Sequence, residues 1–229
     1  RTFGRNPKFP KITFLENIDF QDFNDLFKKI NLKKTGVIVI SKSGETNETL
    51  VQFLIFLSKY KKNFQKKKIQ KHFTIITKKD NSTLRNLAND FSIEIIDLDS
   101  NLSGRFSAFS PVGLLPAAIS GLNIKKISEG ALFFLKKTLK KEQKIPSEGA
   151  ALHYSAQNSK INISVLLTYT ERLRNFGFWH EQLIAESLGK KNTGFTPLHS
   201  MGATDQHSLL QLFLEGPKDK LITFITLKK

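Results

Sequence analysis

The sequence predicts an α/β fold made of doubly wound parallel sheets. Three observations predict it: short β-branched apolar runs at 36–40, 72–77 and 93–98, helical spacing between them, and a second alternation of the same kind after residue 146. A strand covered on both faces reads as a continuous apolar run, and alternation of strands with helices favours a parallel sheet.

Gly36 to Ile40 is the first such run. Leu50, Phe53, Leu54 and Leu57 follow at helical spacing, so a helix is expected to begin near Thr46 and end in the Lys-rich stretch after Ser58. "HFTIIT" (72–77) repeats the strand signal, "NSTLRNLAND" (81–90) predicts a capped short helix, and "IEIIDL" (93–98) a third strand. A Gly/Pro-punctuated segment with an apolar middle, residues 101–123, comes next, then an amphipathic helix around 127–142. "KIPSEGA" is the expected linker, dividing the chain into domains 1–145 and 146–229. The second domain is expected to hold a helix from about Ser147, a strand in "INISVLLTY" (161–169), a helix through 171–189 and a strand in "LITFITL" (221–227). It reads as incomplete, and both ends of the chain, Arg1 and "ITLKK", read as cut.

Lys and Arg number 36 against 20 Asp and Glu, a formal net charge of +16. The lysine pairs are scattered along the chain without interleaved aromatics, which predicts a solvated basic surface and no nucleic-acid partner. The absence of cysteine removes disulfides and thiolate metal sites. No window approaches the roughly 18 apolar residues of a membrane span. A cytoplasmic protein without a membrane partner is therefore expected.

The chemistry is expected where the first strand surfaces into "SKSGET" (41–46). In parallel sheets, ligands bind beyond the carboxyl ends of strands, where loop amides and the next helix N-terminus point outward. Ser41, Ser43 and Thr46 bring hydroxyls there, Lys42 lies among them, and Gly44 allows close backbone approach. The spacing of a nucleotide P-loop and that of a dinucleotide fold are both missing, so the loop suits a small phosphorylated metabolite; a Ser/Gly turn that only caps a helix is the plain alternative. "HEQLI" carries Ile184 where a zinc-binding helix needs its second histidine, and no metal is expected.

"SKSGET" resembles the phosphate loop of sugar isomerase (SIS) domains. "SGRFSAFSPVGLLP" (103–116), "WHEQLIAESLGKKNTGFTP" (179–197) and "GATDQHSLLQLFLEGP" (202–217) resemble, in order, the phosphoglucose isomerase family of the bacterial type. The resemblance implies two flavodoxin-like SIS domains and an aldose–ketose isomerase that needs no cofactor. It would interconvert glucose 6-phosphate and fructose 6-phosphate, a step of glycolysis and gluconeogenesis, by ring opening and enediolate proton transfer. By motif position, Glu186 is similar to the family's base, Gln182 to a substrate-contacting residue, and Arg105 to the arginine that stabilises the enediolate. His207 is similar to the ring-opening histidine, which in the family reaches the active site of the neighbouring subunit and so implies a homodimer. Ser41, Lys42, Ser43 and Thr46 would hold the phosphate.

The family's pattern has two glycines before this arginine, whereas Ser103 takes the first place here. Its initial Gly-rich, Ser-containing loop and its terminal lysine segment are not found within these residues, so the isolated chain is expected to turn over poorly. Two alternatives share the "SKSGET" loop: a non-catalytic SIS-domain regulator that senses a sugar phosphate, and a dual phosphoglucose/phosphomannose isomerase. His72, His153, His180 and His199 read as structural histidines.

Overall fold

The computed structural model describes residues 8–227. Residues 10–120 form one compact unit, and residues 121–227 with Lys8 and Phe9 belong to another. Within the first unit, α1 (Phe20–Lys29), β1 (Val37–Ile40), α2 (Asn47–Asn63), a short α3 (Lys66–Ile69), β2 (Phe73–Lys78), α4 (Thr83–Asp90) and β3 (Glu94–Leu98) are followed by a 3₁₀ helix (Gly104–Phe109) and α5 (Pro111–Ile119). The second unit contains α6 (Ile124–Leu139), α7 (Ile145–Asn158), β4 (Ile163–Thr168), α8 (Arg174–Leu188), β5 (Thr196–Met201), α9 (Gln206–Glu215) and β6 (Lys220–Ile225).

Both sheets are parallel throughout. The first has the order β1-β2-β3, with Val39 opposite Ile75 and Ile75 opposite Ile95. Val39, Phe73 and Ile75 share one sheet face, on which they pack with Phe53, Phe56, Leu57 and Tyr60 of α2, Leu84 and Ala88 of α4, and Phe23 of α1. The four α2 residues recur at the i, i+3, i+4, i+7 spacing that builds a single helix stripe. Burial of this kind contributes about 25 cal/mol per Å² of apolar surface, and it fixes the register, since a one-residue slip would turn Val39 and Ile75 out of the core. Tyr60 is fully buried, and its hydroxyl donates to the Thr35 carbonyl at 2.9 Å.

The second sheet runs β5-β4-β6. Its chain moves from β4 to one side and then crosses back to the other, so the connections reverse at β4, as in a doubly wound sheet. Val165, Leu166 and Leu167 of the central strand are buried.

Local signals account for the element ends. Asp19 caps α1 by accepting from Gln21 N at 2.7 Å, and Ser82 caps α4 by accepting from Arg85 N at 3.4 Å. Asn123 accepts from Lys126 N at 3.0 Å, so α6 starts three residues before the periodicity suggested. The Gly/Pro segment is not irregular: Ser110 accepts from Val112 N at 3.2 Å and Pro111 opens α5, where a missing N–H costs nothing.

The division between the units differs from the expected boundary at 145/146. "KIPSEGA" is not a linker but the start of α7, whose first turn accommodates Pro146 for the same reason. The units divide instead between Ser120 and Gly121, where Gly121 adopts a left-handed φ of +81° just after α5.

Candidate active site

The chain leaves β1 at Ile40 and enters α2 at Asn47, and hydrogen bonds shape the six-residue turn between them. Ser41 is buried, its N–H donates to the Ile76 carbonyl at 3.1 Å, and its Oγ accepts from Gly44 N at 3.1 Å. The Lys42 carbonyl accepts from Lys78 N at 3.2 Å and from Thr77 Oγ1 at 3.3 Å, tying the loop to the end of β2. Gly44 holds φ at +70°, and a Cβ there would overlap the Ser82 side chain. Ser43 and Thr46 remain exposed, with Ser43 Oγ accepting from Glu45 N at 3.2 Å.

Thr46 stands at the N-cap of α2, yet its side chain does not cap the helix. Its Oγ1 lies 2.9 Å from Ser41 Oγ instead. The first-turn amides of α2 therefore face the loop without the usual hydroxyl acceptor, at the positive end of a 17-residue helix. Such an end attracts an anion.

Glu45 behaves differently from its neighbours. Its carboxylate accepts from Thr83 N at 2.6 Å and from Thr83 Oγ1 at 2.8 Å, at the first residue of α4. These two bonds, that from the backbone first, hold the Glu45 carboxyl below its ordinary value. Sequence reasoning missed this tie because the partner lies 38 residues away.

Arg105 leaves the same carboxyl edge of the first sheet, seven residues after the end of β3. Its Nη1 donates to Ser103 Oγ at 3.0 Å, and the guanidinium carbon lies 4.7 Å from the centre of the Phe106 ring. Ser103 has φ −70° and ψ 148°, an extended conformation open to any residue. The serine at this position therefore leaves the backbone unstrained, and it adds an acceptor that glycine lacks.

Three further candidates lie in the second unit. Gln182 and Glu186 sit one turn apart on the exposed side of α8, where Gln182 Nε2 donates to Glu186 Oε1 at 2.8 Å. His207 is exposed in the first turn of α9, and its N–H donates to the Thr204 carbonyl at 3.3 Å. The loop before it is closed by Asp205, whose carboxylate accepts from Met201 N at 2.7 Å. Gln206 Nε2 donates to Tyr169 Oη at 2.6 Å, so the loops following β4 and β5 are joined where the strand connections reverse. Tyr169 carries no sequence signal beyond being a polar residue beside a strand end, and Gln206 lies within the 202–217 stretch without being singled out there.

The first sheet thus groups Ser41, Lys42, Ser43 and Thr46 in one loop, with Arg105 issuing from the same edge. The second unit joins Gln182 to Glu186 directly and places His207 at a strand-end loop. The other histidines hold structural bonds: His72 Nδ1 lies 3.0 Å from the Thr35 carbonyl, His153 Nε2 lies 3.2 Å from Ser164 Oγ, and His199 Nε2 lies 3.0 Å from Thr168 Oγ1. Burial holds both His180 and His199 below the ordinary histidine value. Among the described residues no group of three or more His, Asp or Glu is placed to hold a metal ion, and no helix is long and apolar enough to cross a membrane.

Parallel sheets with a hydroxyl-bearing loop at the carboxyl end of a strand define an α/β protein of the open parallel-sheet class. The family model for phosphoglucose isomerase matches residues 2–228, and the chain belongs to that family. A probable glucose-6-phosphate isomerase of Methanococcus maripaludis is 39% identical, over 100% of this chain and 52% of the relative. A glucose-6-phosphate isomerase of Campylobacter jejuni is 37% identical over 99% of this chain and 55% of its own length. Among solved structures, a hypothetical protein of Thermus thermophilus superposes with a TM-score of 0.86 at 32% identity, covering 93% of this chain and 52% of that one. A glucose-6-phosphate isomerase of Chlamydia trachomatis gives 0.75 at 25% identity, covering 91% and 42%. The chain spans about half the length of the curated relatives it matches.

Proposed function

We propose that this chain works as part of a glucose-6-phosphate isomerase, interconverting D-glucose 6-phosphate and D-fructose 6-phosphate without a cofactor. The observation that carries the proposal is the loop after β1, where Thr46 turns its hydroxyl to Ser41 and leaves the N-terminus of α2 uncapped. A phosphate monoester is the anion that such a cradle of hydroxyls, amides and a lysine suits. Membership of the family narrows the ester to a hexose phosphate.

In this reading Ser41, Lys42, Ser43 and Thr46 hold the phosphate. His207 moves a proton between the ring oxygen and the anomeric hydroxyl, acting on the site of a second subunit in a homodimer. Glu186 then takes the proton from C2, leaving an enediolate, and delivers it to C1. Gln182 orients the carboxylate through its 2.8 Å bond. A carboxylate titrating near about 4.3 in water is a weak base for carbon, so the enediolate must be stabilised as it forms. Arg105, permanently charged, supplies that stabilisation, with its guanidinium held by Ser103. A cytoplasmic location follows from this place in hexose metabolism. The two compact units would correspond to two SIS domains.

The deciding measurement is exchange of the C2 hydrogen of glucose 6-phosphate with solvent, made on the full-length protein. Glu186→Gln is expected to lower kcat by at least about a hundredfold and to stop exchange while substrate still binds. Normal exchange in that variant would remove Glu186 from the role of base, and no isomerisation by the unaltered protein would overturn the proposed activity.

A further inference from the structure

We propose that Glu45 is a positioning residue that sets the phosphate affinity of the loop after β1, through its paired hydrogen bonds to Thr83. The inference rests on the phosphate reading of that loop. A carboxylate inside a loop that receives an anion would ordinarily repel it. Here the side chain is turned to the start of α4, where Thr83 N and Thr83 Oγ1 satisfy both oxygens at 2.6 and 2.8 Å. Thr83 is the first residue of α4, so the helix dipole adds to this neutralisation.

The same contact fixes the loop in place. Leu84 N donates to the Gly44 carbonyl at 3.0 Å, Ser82 packs where Gly44 lacks a side chain, and Glu45 completes a three-residue seam between the loop and the start of α4. On the other side of Glu45, Thr46 is left to pair with Ser41 at 2.9 Å. Glu45 is thus the hinge between the part of the loop bound to α4 and the part that opens α2. Removing its anchor lets residues 43–46 relax and frees the α4 amide, at the expense of the donor arrangement presented to phosphate.

The effect belongs to binding rather than to proton transfer. In the full-length protein, Glu45→Gln and Thr83→Val should each raise KM for fructose 6-phosphate, and the inhibition constant of inorganic phosphate, about three- to tenfold, with kcat changed less than twofold. Because both substitutions weaken the same Glu45–Thr83 pair, one by removing the charge of the acceptor and the other by removing the hydroxyl donor, the double variant should fall short of the product of the two single effects. Thr83→Val removes only the hydroxyl, so it keeps the test available should Glu45→Gln fail to fold. Ser43→Ala is the control for the phosphate reading. If Ser43→Ala raises KM while Glu45→Gln and Thr83→Val leave it unchanged, or if the two effects simply multiply, the role given to Glu45 is overturned and the loop keeps its ligand. If none of the three moves KM or phosphate inhibition, the phosphate reading itself falls and takes this inference with it.

Discussion

Gly44 is the residue at which backbone conformation and ligand chemistry coincide. Its φ of +70° is a region that L side chains rarely adopt, and a methyl group there would run into Ser82. Gly44→Ala is therefore expected to cost about 1–3 kcal/mol of stability, from strain and overlap together, and to weaken phosphate inhibition as well. Urea unfolding followed by far-UV circular dichroism measures the first effect, and an unchanged midpoint would show that the turn relaxes without cost. Ser103 makes the contrasting case. The resemblance leads to an expectation of glycine there, yet the backbone is extended and the side chain bonds to Arg105. A glycine pattern alone does not separate a position that needs a positive φ from one that does not.

At the scale of elements, the sequence was most legible where one physical signal dominated. The apolar runs that became β1, β2, β3 and β4 could be read because buried parallel strands leave a continuous pattern. The start of α2 near Thr46 and the capped start of α4 within "NSTLRNLAND" were legible as well, although only Ser82 caps with its side chain. β5, "TPLHSM", was not legible, since a proline, a histidine and a serine interrupt its pattern. Those residues are admitted by context: His199 bonds to Thr168 of the neighbouring strand, and its backbone N–H donates to Glu181 of α8 at 2.6 Å. Of the candidate site, the loop at 41–46 was visible from composition and position, whereas Glu186, Arg105 and His207 stood out only through resemblance. An exposed carboxylate on a helix has no local mark of function. Burial also ranks the elements energetically. Phe53 of α2 is 1% exposed and Phe133 of α6 is 60% exposed. Phe53→Ala should destabilise the first unit by about 3–5 kcal/mol, and Phe133→Ala should change stability of the same chain by less than about 0.5 kcal/mol. Equal shifts of the denaturation midpoint in the two variants would contradict this ranking of α2 over α6.

Across the whole molecule, pH should act on the two units in a fixed order. His180 and His199, both in the second unit, have folded values held below 6.5 by burial. A group with a depressed folded value stabilises the fold above its unfolded value and loses that stabilisation as pH falls through the folded one. The second unit should therefore begin to weaken as pH drops below about 6.5. Carboxylates join in lower still: below about 4.5 Glu45, bonded to Thr83, in the first unit and Glu171, bonded to Arg174, in the second, and below about 3.8 Asp219, bonded to Lys220, in the second. Each proton taken up adds to a formal charge of +16, so self-repulsion acts in the same direction. The alkaline limb has the opposite sign. Burial pushes the Tyr60 hydroxyl up to about 12, so its stabilisation is intact below 10.0 and is lost from the first unit as pH rises from there. Trp179 is the chain's one tryptophan and lies on α8, which makes its fluorescence a report on the second unit alone. Thermal unfolding followed by Trp179 should lose its high midpoint between pH 7 and 5, before far-UV circular dichroism shows the first unit weakening below pH 4.5. A Trp179 midpoint that stays flat down to pH 5 would mean that the half-buried histidines gain their protons without cost to the sheet around β4.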